Sequence, residues 1–349
     1  MNIQVEIRVE AGKEAKSIET VLPKAAVELL MQNKVNQLKI ITPVATVTFS
    51  EAALSSLYDQ VQGDLKVIMT RMDNSSLNEQ ARKAVGDRPV FDFSVYGGGK
   101  EISHFNGNVE VSASYTPSEK EDINAIVLYF INRKGELETV SNSIYDPISK
   151  RVKFKTRHFS QFAIGYNKVS FKDVADSAWY AGAVEFAAAR GITAGTGNGY
   201  FSPKEGLSRA QFLVMLMKAY NIAPDITFKD NFADAGNTYY TGYLAAARSL
   251  GITAGTGNNL YSPDKEITRQ EMITLLYSAL KVMGELPGGS AGREITTYED
   301  AGQIASWARE AMKLFAETGI IGGSGHKLNP KARTSRAEMA QLLYNLLSK

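Results

Sequence analysis

A multidomain chain is predicted, with an α+β, β-rich N-terminal half followed by an all-α half built from three repeats. Three observations predict it. Between Pro89 and Tyr166, short runs of apolar and β-branched residues follow one another with turn residues between them, as in packed strands. Beyond Asn167 this gives way to helical periodicity. The helical half also repeats itself: arginines at 209, 269 and 336 fall 60 and 67 residues apart, and glycines at 191, 251 and 319 fall 60 and 68 apart. Two independent landmarks keeping step mark a genuine internal repeat, which decides architecture before other signals do.

In chain order, Ile3, Val5, Ile7 and Val9 alternate with polar residues, the period of a half-buried strand. Pro23 to Met31 reads as a helix with proline at its start. Leu38–Thr42 and Ala45–Phe49 are strands, and Ser50 is an N-cap for a helix through Leu57. Val67–Met72 is strand and Ser76–Ala84 helix. Strands follow at 90–96, 109–115, 125–132, 137–140, 152–156 and 162–166, separated by turn signals such as Gly97-Gly98-Gly99, Asn106-Gly107-Asn108 and Lys134-Gly135. Domains are expected at 1–90 (α+β, no named family), 91–168 (β-rich) and 169–349, the last holding repeats of about 169–226, 227–290 and 294–349.

Each repeat opens on an aromatic-x-Asp entry: Phe171-Lys172-Asp173, Phe232-Ala233-Asp234, Tyr298-Glu299-Asp300. Trp179, Tyr239 and Trp307 each stand 12 residues before the landmark glycine. An Ala-rich helix lies between, and Gly191 sits where a C-terminal cap belongs. A loop follows, with Gly195 and Gly197 in the first copy and Gly255 and Gly257 in the second. It leads to Ser208, Thr268 or Ser335, each placed to cap a second helix that begins at the arginine.

Composition narrows the function classes. Net charge is +2, and from Phe171 onward 18 Lys and Arg stand against 17 Asp and Glu. Neither half is the basic body that nucleic acid selects. An anionic ligand would therefore be held by a few placed cations. The chain has no cysteine, which removes disulfides, thiolate metal sites and thiol nucleophiles. No apolar run approaches the roughly 18 residues of a membrane span. The start, Met-Asn-Ile-Gln-Val-Glu-Ile-Arg, lacks the apolar core of a signal peptide, as expected of a mature form or a fragment. His104, His158 and His326 are scattered, and Asp225, Asp230 and Asp234 lack EF-hand spacing, so no metal is expected. Gly195-x-Gly197-x-Gly199 follows a helix and not a strand, against a dinucleotide cofactor. No frame of paired carboxylates is present. The expectation is no cofactor and no enzyme.

The repeat signatures resemble the surface-layer homology domain of bacterial cell-surface proteins, typically Gram-positive. The carrying residues are the entry, the Trp or Tyr, Gly191-Ile192, Gly251-Ile252 and Gly319-Ile320, and boxes resembling Thr-Arg-Ala-Glu. The chain departs at Gln211, where the box usually has Glu, at Ser208 and Ser335 in place of Thr, and in the third glycine loop. The resemblance implies a pseudo-trimeric helical bundle with one helix of each copy in a central core. Grooves between copies would bind the secondary polysaccharide attached to peptidoglycan, often through a terminal pyruvylated sugar. The chemistry suits that ligand. A pyruvyl ketal presents a carboxylate on a saturated ring. Arg209, Arg269 and Arg336 can grip a carboxylate with two parallel N–H donors. The amides of Gly195, Gly197, Gly255 and Gly257 add donors without bulk, Asp173, Asp234 and Asp300 can accept from hydroxyls, and Trp179, Tyr239 and Trp307 can cover a ring face. Against these stand structural roles: arginines pairing with acids of a neighbouring repeat, aspartates as caps, aromatics in the core.

The segment from Gly107 to Tyr166 resembles the ZU5-like β module, on Tyr115-Thr116-Pro117, Asp122, Tyr129-Phe130 before Gly135, and His158-Phe159-Ser160-x-Phe162. In some ZU5 and nucleoporin domains a His-Phe-Ser triplet cleaves its own chain. Carried over, Ser160 would attack the Phe159 carbonyl with His158 as base. The alternative is purely structural: alternation puts His158 and Ser160 on one face, sharing a hydrogen-bond network, with Phe159 inside. The leading expectation is a non-enzymatic surface protein, anchored to wall polysaccharide by its repeats, with the N-terminal part as spacer or adhesion module. The others are a self-cleaving module and a protein-binding or self-assembly platform.

Overall fold

Alternating burial builds the first unit. The computed structural model describes residues 3–12 and 14–348, and the chain divides once, into Met1–Lys168 and Val169–Lys349. In order, the first unit runs β1 (Gln4–Arg8), β2 (Ser17–Leu22), α1 (Lys24–Gln32), β3 (Gln37–Ile41), β4 (Ala45–Ser50), α2 (Glu51–Gln60), β5 (Leu65–Met72) and α3 (Glu79–Val85). It continues with β6 (Val90–Gly97), β7 (Lys100–Glu101), β8 (His104–Ser114), β9 (Ile126–Ile131), β10 (Leu137–Thr139), β11 (Ile144–Asp146), β12 (Arg151–His158) and β13 (Gln161–Tyr166). One sheet has the order β1-β3-β4-β8-β12-β11; the other has β10-β9-β13-β6-β5-β2, with β7 on β6. β1 pairs with β3 in parallel, and the other described pairs are antiparallel.

One core joins the sheets. Leu38, Val47, Phe49 and Val111 of the first and Met69, Phe93, Phe162 and Ile164 of the second are buried in the same cluster. Each such side chain contributes about 1.5–3 kcal/mol by leaving water. Strands from both sides of residue 90 share each sheet, joined where β4 pairs with β8 and β5 with β6. Asn106-Gly107-Asn108, a turn by its residue types, lies inside β8. The reason is packing: a Cβ on Gly107 would come within 2.3 Å of the Ala53 amide nitrogen of α2. β2 escapes sequence reading because one of its inward positions is Thr20, and β11 because it has three residues. α3 begins late, at Glu79, where the Asn78 side chain accepts the Ala81 N–H at 2.9 Å.

The second unit holds two helices per repeat: α4 (Ala181–Ala189) and α5 (Arg209–Ala219), α6 (Thr241–Ser249) and α7 (Arg269–Met283), α8 (Arg309–Glu317) and α9 (Arg336–Leu347). α4 packs on α9, α6 on α5 and α8 on α7, while α5 also meets α7 and α9. Each repeat's first helix thus lies on the second helix of the preceding one, and the order closes on itself. Ahead of the second helices, three amides complete a ring. Leu207 donates to the Thr334 carbonyl at 2.9 Å, Thr334 to Ile267 at 3.1 Å, and Ile267 to Leu207 at 2.9 Å.

The exposed donors at each second helix's N-terminus are met from the next repeat. Arg209 and Ala210 N–H go to the Lys265 and Pro263 carbonyls, Arg269 and Gln270 to Ala332 and Pro330, and Arg336 and Ala337 to Glu205 and Pro203. A helix start normally leaves such groups for water or side chains. Here they carry the contact between repeats.

Candidate functional site

Each second helix opens on a capping box: Ser208 with Gln211, Thr268 with Glu271, Ser335 with Glu338. The cap fixes the arginine one residue later at the first helical position, facing the following repeat. Arg209 and Arg336 are 4% exposed. Arg209 donates from Nε to the Tyr261 carbonyl at 2.9 Å and lies over the Tyr261 ring. Arg336 repeats this on repeat one, with Nε on the Phe201 carbonyl at 2.7 Å, its plane over the Phe201 ring, and Nη2 on Thr193 Oγ1 at 3.3 Å. Arg269 differs. Its Nη2 reaches the Gly322 carbonyl at 3.2 Å, and its buried Nε has no hydrogen-bond partner. The third repeat has Ile321 where the others have Thr193 and Thr253, and its loop is one residue shorter. Burial lowers the pKa of Arg269 and Arg336, yet a guanidinium stays charged at neutral pH.

The three aspartates act as clasps. Asp173 accepts the Phe201 and Ser202 amides at 2.8 and 2.7 Å, Asp234 those of Tyr261 and Ser262 at 2.8 and 2.7 Å, and Asp300 those of Leu328 and Asn329 at 2.8 and 2.7 Å. Each clasp ties the repeat's entry to the far end of its own glycine loop. It also holds a non-glycine residue in the left-handed region, with φ of 59° at Ser202, 59° at Ser262 and 51° at Asn329. Such strain persists where surrounding bonds over-determine it. For Asp173, burial raises the pKa, but the two amides outweigh it and the net shift is downward.

Within the loops, Gly195 and Gly255 are required twice over. Their φ values are +77° and +80°, and a Cβ would come within 2.3 and 2.2 Å of the Tyr200 and Leu260 carbonyls. Gly197 and Gly257 have φ near +105° and +104° with open space on the Cβ side. Backbone is therefore presented without a covering side chain.

Trp179, Tyr239 and Trp307, which sequence alone leaves between core and ligand, are 64%, 64% and 56% exposed. Trp179 and Tyr239 stand edge-on to Tyr180 and Tyr240. Trp179 of repeat one, Arg269 of repeat two and Gly322, Gly323 and Ser324 of repeat three line one cleft of ≈ 340 Å³. Tyr239 lies within electrostatic reach of Arg336, in the corresponding relation one step round the ring. An aromatic face, a guanidinium and a bare loop from three repeats therefore meet. Such a cleft can cover a saturated ring while pairing an anion. Two of the arginines pair with an acid of the neighbouring repeat, the structural role open to them from sequence: Glu271 is 3.7 Å from Arg209, and Glu338 is 3.3 Å from Arg269. Which acid meets which arginine follows from the ring order alone: it is the fourth residue of the next repeat's box.

In the first unit, β12 belongs to one sheet and β13 to the other, and Phe159-Ser160 is the corner between them. Phe159 is buried among Phe49, Phe93 and Phe105, with ring centroids 5.0–5.9 Å apart in this group. His158 packs edge-on to Phe130 at 4.7 Å. A register shift between Thr156 and His158 turns the strand there. Phe159 is inside, as alternation demands, but no described hydrogen bond links the His158 and Ser160 side chains. The triplet's packing serves the passage between sheets. Among the described residues, no cluster of three or more His, Asp or Glu is arranged to hold a metal, and no helix is long and apolar enough to cross a membrane.

Comparison with known proteins places these features. The model of the S-layer homology domain matches residues 170–213, 231–273 and 297–340, so each repeat of the second unit is similar to that domain. The S-layer protein sap of Bacillus anthracis is 30% identical over 174 residues, 50% of this chain and 21% of that protein. An amylopullulanase of Thermoanaerobacterium thermosulfurigenes is 30% identical over 255 residues, 71% of this chain and 13% of the enzyme. That match is longer than the second unit, so it reaches into the β unit. The exoglucanase XynX of Acetivibrio thermocellus is 31% identical over 183 residues, 52% of this chain and 16% of the enzyme. The chain thus spans 13–21% of the length of these three relatives, which include an S-layer protein and enzymes.

Proposed function

We propose that this S-layer homology domain protein is held at a bacterial cell surface by its three repeats, which bind peptidoglycan-linked wall polysaccharide through an acidic, pyruvylated sugar. One observation carries the reading: the cleft in which Trp179, Arg269 and the loop at Gly322–Ser324 converge from three different repeats. The guanidinium pairs with the ketal carboxylate, the aromatic covers the ring, and loop amides and carbonyls meet its hydroxyls. The aspartates act indirectly, by holding the loops in shape. The N-terminal unit, with its ZU5-like segment, is a non-enzymatic spacer or adhesion module. Enzymes among the relatives share the wall-binding repeats, and each would bring its catalytic part from elsewhere in its own length.

The test is sedimentation with purified walls of an S-layer-bearing bacterium, before and after mild acid removes polysaccharide and ketals. Binding should vanish with the acid-labile material. Replacing Arg209, Arg269 and Arg336 by Ala should abolish it. Because two of these arginines are buried, a second variant, Trp179→Ala with Tyr239→Ala and Trp307→Ala, removes only exposed surface and should also lose binding while keeping its circular dichroism. Full binding by that folded variant, or by acid-stripped walls, would refute the proposal.

A further inference from the structure

The surroundings of the three box arginines differ in charge at one position of the box. Around the ring, the box arginines of repeats one and two face the fourth box residue of the next repeat. Arg209 meets Glu271 at 3.7 Å and Arg269 meets Glu338 at 3.3 Å. For Arg336 the next repeat is the first, where that position is Gln211. Among the described residues Arg336 makes no ion pair. Its Nε and Nη2 are held by the Phe201 carbonyl and Thr193 Oγ1, and no described hydrogen bond engages Nη1. Of the nearby acids, Asp173 spends both oxygens on the Phe201 and Ser202 amides. Glu205 is exposed, and its backbone carbonyl already serves the Arg336 amide.

The orientation of Gln211 adds a donor. Its Oε1 accepts the Ser208 N–H at 3.1 Å, so the other end of the amide is its NH2. In repeats two and three, one Glu oxygen accepts the cap amide, Thr268 or Ser335. The second oxygen is the one nearest the arginine. At the first repeat the corresponding end of the side chain therefore offers hydrogens where the other two offer negative charge. A carboxylate approaching Arg209 or Arg269 meets a guanidinium already shared with a fixed acid. One approaching Arg336 meets a guanidinium with Glu205 and Asp173 nearby but no described ion pair, on the side where the ring order puts Gln211 in place of a glutamate.

We infer that Gln211 makes the Arg336 cleft the dominant seat for an acidic sugar, with the Arg209 and Arg269 clefts weaker because Glu271 and Glu338 hold their arginines. This rests on the wall-polysaccharide reading and ranks the clefts within it. The exchange of Gln and Glu is gentle on the fold, since the Ser208–Gln211 and Thr268–Glu271 boxes are both complete.

The experiment is calorimetric titration of the full chain with a methyl hexoside carrying a 4,6-linked pyruvate ketal. The wild type should show one site tighter than the rest. Gln211→Glu should weaken that site by about tenfold or more, the scale of a charge-assisted hydrogen bond gained or lost. Glu338→Gln and Glu271→Gln should each strengthen a second site by a similar factor. Unchanged affinity in Gln211→Glu overturns the ranking while leaving wall anchoring intact. So does loss of the tight site in Arg209→Ala or Arg269→Ala with retention in Arg336→Ala. Wild-type chain that sediments with walls yet ignores the ketal overturns the acidic-sugar seat but not the anchoring. A triple arginine variant that still sediments with walls overturns both.

Discussion

The two units use their aromatics in opposite ways. In the β unit Phe49, Phe93, Phe105 and Phe159 converge inside, at the point where the chain passes from one sheet to the other. In the repeat unit Trp179, Tyr239 and Trp307 recur at a fixed place and stay exposed. A buried aromatic needs no further reason, because the area it removes from water is its contribution. An exposed one, such as Trp179 beside Arg269 and the loop at Gly322–Ser324, gains little for stability from its position. Under the proposed function, the contrast separates a scaffold residue from one that touches the ligand.

The sharpest way to break this contrast is to truncate one aromatic of each kind. Phe159→Ala should cost the β unit about 3–5 kcal/mol, the usual range for a buried phenylalanine, as read by urea denaturation, and should leave wall binding by the folded protein unchanged. Next comes a clasp. Asp300 is buried and accepts two amides, so Asp300→Ala should destabilise the repeat unit by about 2–4 kcal/mol, given about 1.5–3 kcal/mol for each hydrogen bond to a charged group and incomplete additivity.

Acid sharpens the comparison within the repeats. The folded-state pKa of Asp173 is depressed below the ordinary aspartate value of 3.8. Its contribution is therefore full above that value and lost as pH falls through the lower folded-state pKa. Asp173→Asn should be less stable than wild type near neutrality, with the gap narrowing in acid unfolding series below pH 3.8. A gap that widens as pH falls would contradict the clasp. The smallest stability effect belongs to Trp179→Ala. It should change unfolding free energy by only about 0.5 kcal/mol, as exposed sites do, while measurably weakening wall binding. A large stability loss there would erase the distinction between the two kinds of aromatic.

The sequence by itself determined what depends on local order. The triple repeat, the caps at Ser208, Thr268 and Ser335, the glycine loops and most strands of the β unit follow from spacing, backbone preference and alternation, which act over a few residues. Tertiary structure alone decided the rest. It joined strands from both sides of residue 90 into shared sheets, turned Gly107 from a presumed turn into the floor under α2, and made Phe159 a corner plug. In the repeats it set the cyclic order that brings Arg269 to Glu338 across 69 residues and Arg336 to Phe201 across 135. The physical reason is the same throughout: whether a residue is exposed, paired or left with spare donors depends on partners remote in sequence, and no local pattern records which copy of a repeat will supply them.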